Sequence, residues 1–209
     1  MEYALFSEKG LRDENADYAV IDPEKNIFIT ADGVGSNFFA KHASKRACET
    51  AYKECKTTKI KKSVETIISA IDEANQAVQR EYLGSATTLD LVLIKNSKAY
   101  IGHVGDSRVY LLRRKKLIQL TQDHIQVKNK LNRAVGTDFS APDIIHPPGL
   151  RRGDIIAMTT DGVHNILSRE EMTDILKIGM SLENTADLLK ISVQYNGAFD
   201  NYTGILIRV

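Results

Sequence analysis

The sequence has few cysteines, few prolines and no long apolar run. Its 209 residues include two cysteines and four prolines. No stretch approaches the length of a membrane-spanning helix, and no signal peptide is recognisable. Linkers, internal repeats and low-complexity segments are also missing. These absences argue against a membrane-spanning or secreted protein. They favour a cytoplasmic protein with one domain, residues 1–209, that is large enough to bury a substantial core.

The two cysteines do not form a pattern that suggests a crosslink or a metal site. Cys48 and Cys55 lie seven positions apart in a predicted helix. Seven residues span two helical turns, roughly 10 Å, which is too far for a disulfide within one helix. No histidine or second cysteine pair has the spacing of zinc ligands. Both thiols are therefore expected to be reduced packing residues.

The charges nearly cancel. Lysine and arginine number 28 against 27 aspartate and glutamate residues, which leaves a net charge of +1. Such a balance gives no overall field that would favour nucleic acid or an acidic membrane as a partner. Apolar residues make up 43% of the chain, an ordinary fraction for a globular protein.

Hydrophobic periodicity predicts strands separated by two groups of helices. The predicted strands cover residues 1–6, 17–21, 26–30, 89–94, 98–104, 108–112, 117–120, 155–160 and 202–209. The predicted helices run from about Ser36 past Ala51, from about Ile60 to Tyr82, from Asp123 to Val135 as one short helix, from a capping box at Ser168 to near Gly179, and around 182–193. Residues 139–152 hold three of the four prolines and are expected to be irregular.

This order of elements is not the strand–helix alternation of a parallel, doubly wound sheet. Most helices come in two pairs, and the strands lie between and around them. The pattern favours an α+β fold in which mostly antiparallel sheets pack together with the helix pairs outside.

Three aspartates lie at the ends of predicted strands, far apart in the sequence. Asp32 and Asp161 each end an apolar strand and precede a glycine, and Asp200 comes just before the last strand. A single Asp-Gly pair is usually an ordinary turn. Three strand-end carboxylates together suggest a shared site for a hard cation.

Oxygen ligands without a neighbouring histidine or cysteine favour Mg²⁺ or Mn²⁺ over zinc. Two such ions about 3.5–4 Å apart could share a bridging carboxylate and hold a hydroxide for in-line attack on phosphorus. Arg12, in a polar loop before the second strand, could grip two phosphate oxygens. A single loop arginine is otherwise most often just a surface charge.

A set of short motifs in a fixed order resembles the protein phosphatase 2C (PP2C, or PPM) family of metal-dependent serine/threonine phosphatases. The resemblance spans nearly the whole chain, and the small size is similar to that of the bacterial members. The motifs are Arg12-Asp13-Glu14-Asn15-Ala16-Asp17, Ala31-Asp32-Gly33-Val34-Gly35, Gly84-Ser85-Ala86-Thr87-Thr88, Gly105-Asp106-Ser107-Arg108-Val109-Tyr110, Leu120-Thr121-Gln122-Asp123-His124, Arg133-Ala134-Val135-Gly136, Gly153-Asp154, Thr160-Asp161-Gly162-Val163 and Asp200-Asn201-Tyr202-Thr203.

The resemblance implies a four-layer α-β-β-α sandwich with two Mn²⁺ or Mg²⁺ ions at one end of its two sheets. Asp32 would bridge both metals, and Gly33 would offer its carbonyl oxygen. Asp161 and Asp200 would each bind one metal. Arg12 would hold the substrate phosphate.

The same resemblance assigns three supporting positions. Asp106 would help Asp161 to take a weaker third metal, a position that the residues alone suggest only as a hairpin turn. Asp17 would support the site from behind the metal ligands, and Asn201 would orient Asp200. The implied partners are a phosphorylated protein substrate and a cognate serine/threonine kinase, and the protein would act as a monomer.

The sequence departs from the family pattern at three places. Ala16 stands where the family usually has an acidic residue that contacts a metal through water, which implies weaker metal binding. Val34 stands where some members have a histidine that protonates the leaving group, so water or another histidine must do so. The segment from His124 to Arg133 is much shorter than usual, which implies a reduced flap subdomain and a more open cleft.

Two histidines and two alternative functions complete the predictions. His103, inside a predicted strand, and His124, at a recurrent family position, are expected to be structural.

The leading hypothesis is an enzyme that hydrolyses phosphoserine or phosphothreonine. Ala16 and the short flap segment leave open a pseudophosphatase that binds a partner with little turnover. A third possibility is a regulatory phosphatase dedicated to one phosphoprotein.

Overall fold

Each strand predicted from the sequence is present in the structure, with ends that differ by a few residues. The computed structural model describes residues 1–34, 39–57, 63–126, 130–139 and 141–209. The strands are β1 (Glu2–Glu8), β2 (Asp17–Asp22), β3 (Ile27–Val34), β4 (Ala86–Thr87), β5 (Leu89–Lys95), β6 (Lys98–Val104), β7 (Arg108–Arg113), β8 (Lys116–Gln119), β9 (Ile125–Gln126), β10 (Lys130–Leu131), β11 (Asp143–Ile145), β12 (Ile155–Thr159) and β13 (Tyr202–Arg208).

These strands form two main antiparallel sheets. The first has the order β1-β13-β12-β7-β8, and the second has the order β11-β6-β5-β3-β2, with β4 paired to β3. The last strand of the chain therefore lies between the first strand and β12. β9 and β10 form a separate small hairpin.

Five helices accompany these strands in the described part of the chain. They are α1 (Ala40–Thr57), α2 (Ser63–Glu81), α3 (Asp161–His164), α4 (Arg169–Leu176) and α5 (Leu182–Tyr195). The predicted capping box is present at the start of α4, where Ser168 and Glu171 bond each other's backbone. None of the described helices is long and apolar enough to cross a lipid bilayer.

The sandwich has three buried apolar layers. One layer joins α1 and α2 to the second sheet and includes Ala47, Ile71 and Leu91. A second layer lies between the two sheets, where Phe28 meets side chains such as Ile205. The third joins the first sheet to α4 and α5. The predicted α+β sandwich, with helix pairs outside two mostly antiparallel sheets, is confirmed.

One predicted helix is wrong, and some predicted boundaries lie outside the described residues. The described residues between 123 and 135 contain the antiparallel pair of β9 and β10 and no helix. The irregular stretch 139–152 contains one short strand, β11. Gly35 and the predicted helix starts near Ser36 and Ile60 fall outside the part of the chain that the structure describes. Cys48 and Cys55 are buried free thiols, as expected.

Candidate metal centre

Asp32 is held at the end of β3 by neighbours on both sides. It lies opposite Asp17 in the register of β2 and β3. Its N–H donates to Thr88 Oγ1 over 2.9 Å, and its carbonyl accepts from the Thr88 N–H over 2.8 Å. The Thr87 hydroxyl donates to the same carbonyl over 2.8 Å. These bonds fix the Asp32 backbone, so its half-buried side chain starts from a defined point at the end of β3.

Gly33 lies where two backbone segments come very close. A Cβ atom added there would lie 2.4 Å from the Ala40 carbonyl oxygen and 2.9 Å from that of Ala16. The Gly33 N–H donates to the Ala16 carbonyl over 3.1 Å. Any side chain at this position would push the start of α1 away from β3. Glycine is therefore required by close approach of the backbone.

Asp161 follows β12 and opens the short helix α3. Its carboxyl group is an electrostatic neighbour of the Asp32 carboxyl group. Burial, followed by the charges of Asp17 and Asp161, raises the pKa of Asp32 well above its usual range. Burial and then the charge of Asp200 raise the pKa of Asp161. The sandwich thus brings carboxyl groups from distant segments into one place.

Asp17 lies behind this pair, and its buried carboxyl group has few hydrogen-bond partners. Its Oδ2 accepts a bond from Thr160 Oγ1 over 2.8 Å, whereas its Oδ1 is buried without a hydrogen-bond partner. Burial, reinforced by the charges of Asp161 and Asp200, raises the pKa of Asp17 to about 7. An unpartnered carboxylate oxygen in such a place is costly and fits a site that a cation completes.

Asp106 joins the same group from the turn between β6 and β7. Gly105 before it has a φ of +115°, and a Cβ there would come within 2.6 Å of the Thr88 side chain. Burial and then the charge of Asp161 raise the pKa of Asp106 to about 6. Reasoning from the residues alone missed this aspartate. Its one local signal is a position at a strand end after a glycine, which an ordinary hairpin turn shares.

Arg12 and Asp200 form an ion pair at the exposed edge of the group. Arg12 Nη2 donates to Asp200 Oδ2 over 2.7 Å, and the bond raises the pKa of the guanidinium. The other oxygen of Asp200 accepts from the Asn201 N–H over 2.8 Å. The charges of Asp161 and Asp32 also raise the pKa of Arg12. The positively charged guanidinium of Arg12 thus lies next to the carboxylates of the site.

The side chain of Asn201 organises the loop that carries Arg12. Its amide nitrogen donates to the carbonyl groups of Lys9 and Glu14, each over 2.8 Å. Its amide oxygen accepts from the Ala16 N–H over 2.8 Å. Asn201 was expected to orient Asp200; its side chain bonds the Arg12 loop, and only its backbone contacts the Asp200 carboxylate.

The donor set fits a hard divalent cation. It consists of carboxylate oxygens on half-buried side chains, with no histidine or cysteine in it. Within the described residues, no three acidic, histidine or cysteine side chains form a ready-made cage around one point. The Asp200 carboxylate is bonded to Arg12, and it must turn from that arginine to serve as a ligand.

Comparison with known proteins decides the family. A family model described as Protein phosphatase 2C matches residues 8–193. The chain belongs to the protein phosphatase 2C family. The match includes Arg12, Asp32, Asp106 and Asp161 but ends before Asp200. The family predicted from the sequence motifs is confirmed.

Individual relatives are similar to this chain over almost its full length. The serine/threonine phosphatase Stp of Listeria welshimeri is 29% identical, with 95% of this chain and 91% of that protein covered. The crystal structure of the Mycobacterium tuberculosis phosphatase PstP/Ppp superposes with a TM-score of 0.90 at 24% identity, over 100% of this chain and 98% of that one. The catalytic domain of PstP in complex with two manganese ions gives a TM-score of 0.88 at 24% identity, over 98% and 96% of the two chains.

Three of the five histidines of this phosphatase 2C chain are buried and bonded to protein groups. His103 bonds the Asp90 carboxylate over 2.6 Å and the Gln122 carbonyl over 3.0 Å. His124 accepts from the Gly105 N–H over 3.1 Å and bonds Asp143 over 3.0 Å. Both are buried and structural, as predicted. His164 is also buried, and its Nδ1 bonds the Thr159 hydroxyl.

Proposed function

We propose that this protein is a metal-dependent phosphatase that hydrolyses phosphoserine and phosphothreonine in proteins. The observation that carries the proposal is a group of carboxyl side chains from five chain segments, with one arginine beside them and too little positive charge to balance them. The family membership supports the reaction class. The proposal treats residues 1–209 as a single phosphatase domain.

The proposed metal ligands are Asp32, the Gly33 carbonyl, Asp161 and Asp200. They would hold two Mn²⁺ or Mg²⁺ ions, with Asp106 available to a weaker third. When bound, such ions lower the pKa of water and neutralise developing negative charge on phosphorus oxygens. The two manganese ions bound by PstP support this choice of metal.

The remaining polar groups position the reactants. Arg12 would grip two oxygens of the substrate phosphate, which requires it to leave Asp200. Asn201 would keep Arg12 in place, because its side chain holds the loop at Lys9 and Glu14. Asp17 would support the ligand shell from its buried position behind Asp32.

Protonation of the leaving group falls to water in this proposal. Val34 has no titratable group at the position where some family members have histidine. His103 and His124 have protein partners on both ring nitrogens. We therefore expect leaving groups of low pKa to react faster than serine or threonine phosphoesters.

The proposed partners are a phosphorylated protein and the serine/threonine kinase that modifies it. The names of relatives such as Stp support a phosphoprotein substrate. We further propose a cytoplasmic monomer that uses neither nucleic acid nor a membrane. The kinase, the oligomeric state and the location follow from the family resemblance and the balanced charge.

The decisive experiment is phosphate release from an aryl phosphate and from a phosphothreonine peptide at millimolar Mn²⁺. We expect turnover that requires the metal and is lost in Asp32→Ala and Asp161→Ala. Asp187→Ala is the matched control, since Asp187 is an exposed carboxylate on α5 that pairs with Lys190. Absence of turnover on both substrates would favour a binding module over an enzyme.

A further inference from the structure

Three large apolar side chains are unusually exposed on the segments that lead into the metal centre. Tyr195 is 90% exposed, Leu11 is 72% exposed and Phe199 is 65% exposed. Within the described part of the chain, they are three of the four most exposed large hydrophobic residues; the fourth is Leu83. Single exposed apolar residues are ordinary, but several near one another mark interaction surfaces. We call Leu11, Tyr195 and Phe199 the apolar shoulder.

Backbone hydrogen bonds join the segments that carry the shoulder. The Leu11 N–H donates to the Ala198 carbonyl over 3.0 Å, directly beside Phe199. The Ala198 N–H in turn donates to the Val193 carbonyl of α5 over 3.2 Å. α5 ends at Tyr195, just before this loop. The three side chains therefore project from one connected piece of backbone.

Glycines make this piece of backbone tight. Gly10 has a φ of +58°, and a Cβ there would lie 2.2 Å from the Asp200 carbonyl oxygen. Gly197 has a φ of +112°, and a Cβ there would lie 2.5 Å from the ring of Phe199. The ring thus lies over Gly197. Backbone held in such close contact loses little freedom when the shoulder binds a partner.

The shoulder is continuous with the groups that are proposed to handle phosphate. Leu11 precedes Arg12, and Phe199 precedes Asp200. Neighbouring Cα atoms are about 3.8 Å apart, and an extended peptide advances about 3.3 Å per residue. The residues that flank a phosphoresidue gripped by Arg12 are therefore within reach of the shoulder.

We propose that the apolar shoulder binds an apolar side chain that flanks the phosphoserine or phosphothreonine of the substrate. The shoulder would thereby set sequence preference in a phosphatase with a short flap segment. This inference rests on the proposed function, because it uses the phosphate position at Arg12. The substrate class it names is a phosphoprotein segment with leucine, isoleucine or phenylalanine within about three residues of the phosphate.

The test compares phosphothreonine peptides of equal length and charge, with leucine or serine at each flanking position in turn. At one or more positions, we expect wild-type protein to show about a tenfold higher kcat/KM for the leucine peptide. Leu11→Ser and Phe199→Ser should each reduce this preference severalfold, and the double variant should bring it close to one. Because the preference is a ratio within one variant, a general loss of activity does not affect it.

Ile178→Ser is the matched control. Ile178 is 56% exposed, and it is close in sequence to Met180, whose carbonyl is bound by Arg208 at the opposite end of β13 from Asp200. This variant should keep the wild-type preference. Equal rates for leucine and serine peptides at every position would overturn the inference. A preference for the leucine peptide that survives in the double variant would also overturn the inference. A wild-type dimer in which the shoulder is buried would do the same.

Aryl phosphate turnover separates failure of this inference from failure of the proposed function. Turnover of the small substrate without any peptide preference contradicts only the shoulder. If neither substrate reacts, the same peptides are compared by fluorescence anisotropy. Tighter binding of the leucine peptide, lost in the double variant, would then support the shoulder, and equal binding would refute it.

Discussion

At the scale of single residues, Asp32 combines a fixed backbone with an unfavourable side-chain environment. Its carboxyl group is half-buried, and desolvation followed by the charges of Asp17 and Asp161 raises its pKa. Functional sites commonly keep such destabilising groups because the bound state needs them.

Asp32→Asn should therefore stabilise the metal-free protein while abolishing phosphate release. The amide keeps the size of the side chain and removes one of several like charges. We expect the free energy of unfolding in EDTA to rise by about 1–2 kcal/mol, as measured by urea denaturation. The exposed control Asp187→Asn should change neither property. A less stable Asp32→Asn variant would contradict this account.

His164 should make the protein sensitive to acid. Burial, followed by the nearby charge of Arg108, lowers the pKa of His164 to about 3. The unfolded chain binds a proton there below about pH 6.5 while the folded chain does not, so stability is highest above that pH and falls on acidification.

Between pH 7 and pH 5, His164 should account for about 2 kcal/mol of lost unfolding free energy. His164→Gln should lose that much less than wild type over the same range, measured by urea denaturation at both pH values. His146→Gln, at an exposed histidine, is the control. An unchanged difference between the two pH values in His164→Gln would exclude this histidine as the cause.

At the scale of elements, strands and helices with strong periodicity were predictable from the sequence. The capping box at Ser168 marked the start of α4, and strand-end positions pointed to Asp32, Asp161 and Asp200. Such signals are local, so the sequence displays them directly. Asp106 was missed because a Gly-Asp-Ser turn between strands looks the same whether or not other carboxylates surround it.

The wrong helix at 123–135 shows where local signals fail. His124 bonds Gly105 and Asp143, and Arg133 also bonds Asp143 over 2.7 Å. These partners come from distant segments and fix the chain around the β9–β10 hairpin. Tertiary contacts of this kind override helix propensity and are invisible in a window of a dozen residues.

The pair of β5 and β6 contains a buried cross-strand ion pair that should be strongly coupled. Asp90 lies opposite His103 in the register, and the second oxygen of Asp90 is buried without a partner. His103→Ala should cost about 3–5 kcal/mol of unfolding free energy, because it leaves the Asp90 charge uncompensated.

The double variant His103→Ala/Asp90→Asn should cost clearly less than the sum of the two single changes. Urea denaturation of the four proteins measures this coupling. Additive effects would show that the two residues are independent despite the 2.6 Å contact.

At the scale of the whole molecule, the proposed ligands join segments that are far apart in the sequence. Asp32 belongs to one sheet, whereas Asp161 and Asp200 adjoin strands of the other. A cation that binds them therefore holds the two sheets together and binds the folded chain far better than the unfolded one.

Mn²⁺ should accordingly raise the melting temperature, with about 2.7 kcal/mol of stabilisation at a hundredfold excess over Kd. Differential scanning fluorimetry with and without EDTA measures the shift. Asp32→Ala and Asp161→Ala should lose it. Arg12→Ala should retain it, because that change leaves Asp200 free of its ion pair. Loss of the shift in Arg12→Ala would place Arg12 among the groups that metal binding requires.

The position of β13 constrains how the first sheet can assemble. β13 is the last strand in this sequence, yet it lies between β1 and β12, and Asp200 lies two residues before its first residue, Tyr202. Without this segment, β1 loses the strand with which it pairs, and Asp200 is not held beside the other carboxylates. Displacing residues 200–208 should therefore detach the edge of the sheet and take apart the metal centre in a single event.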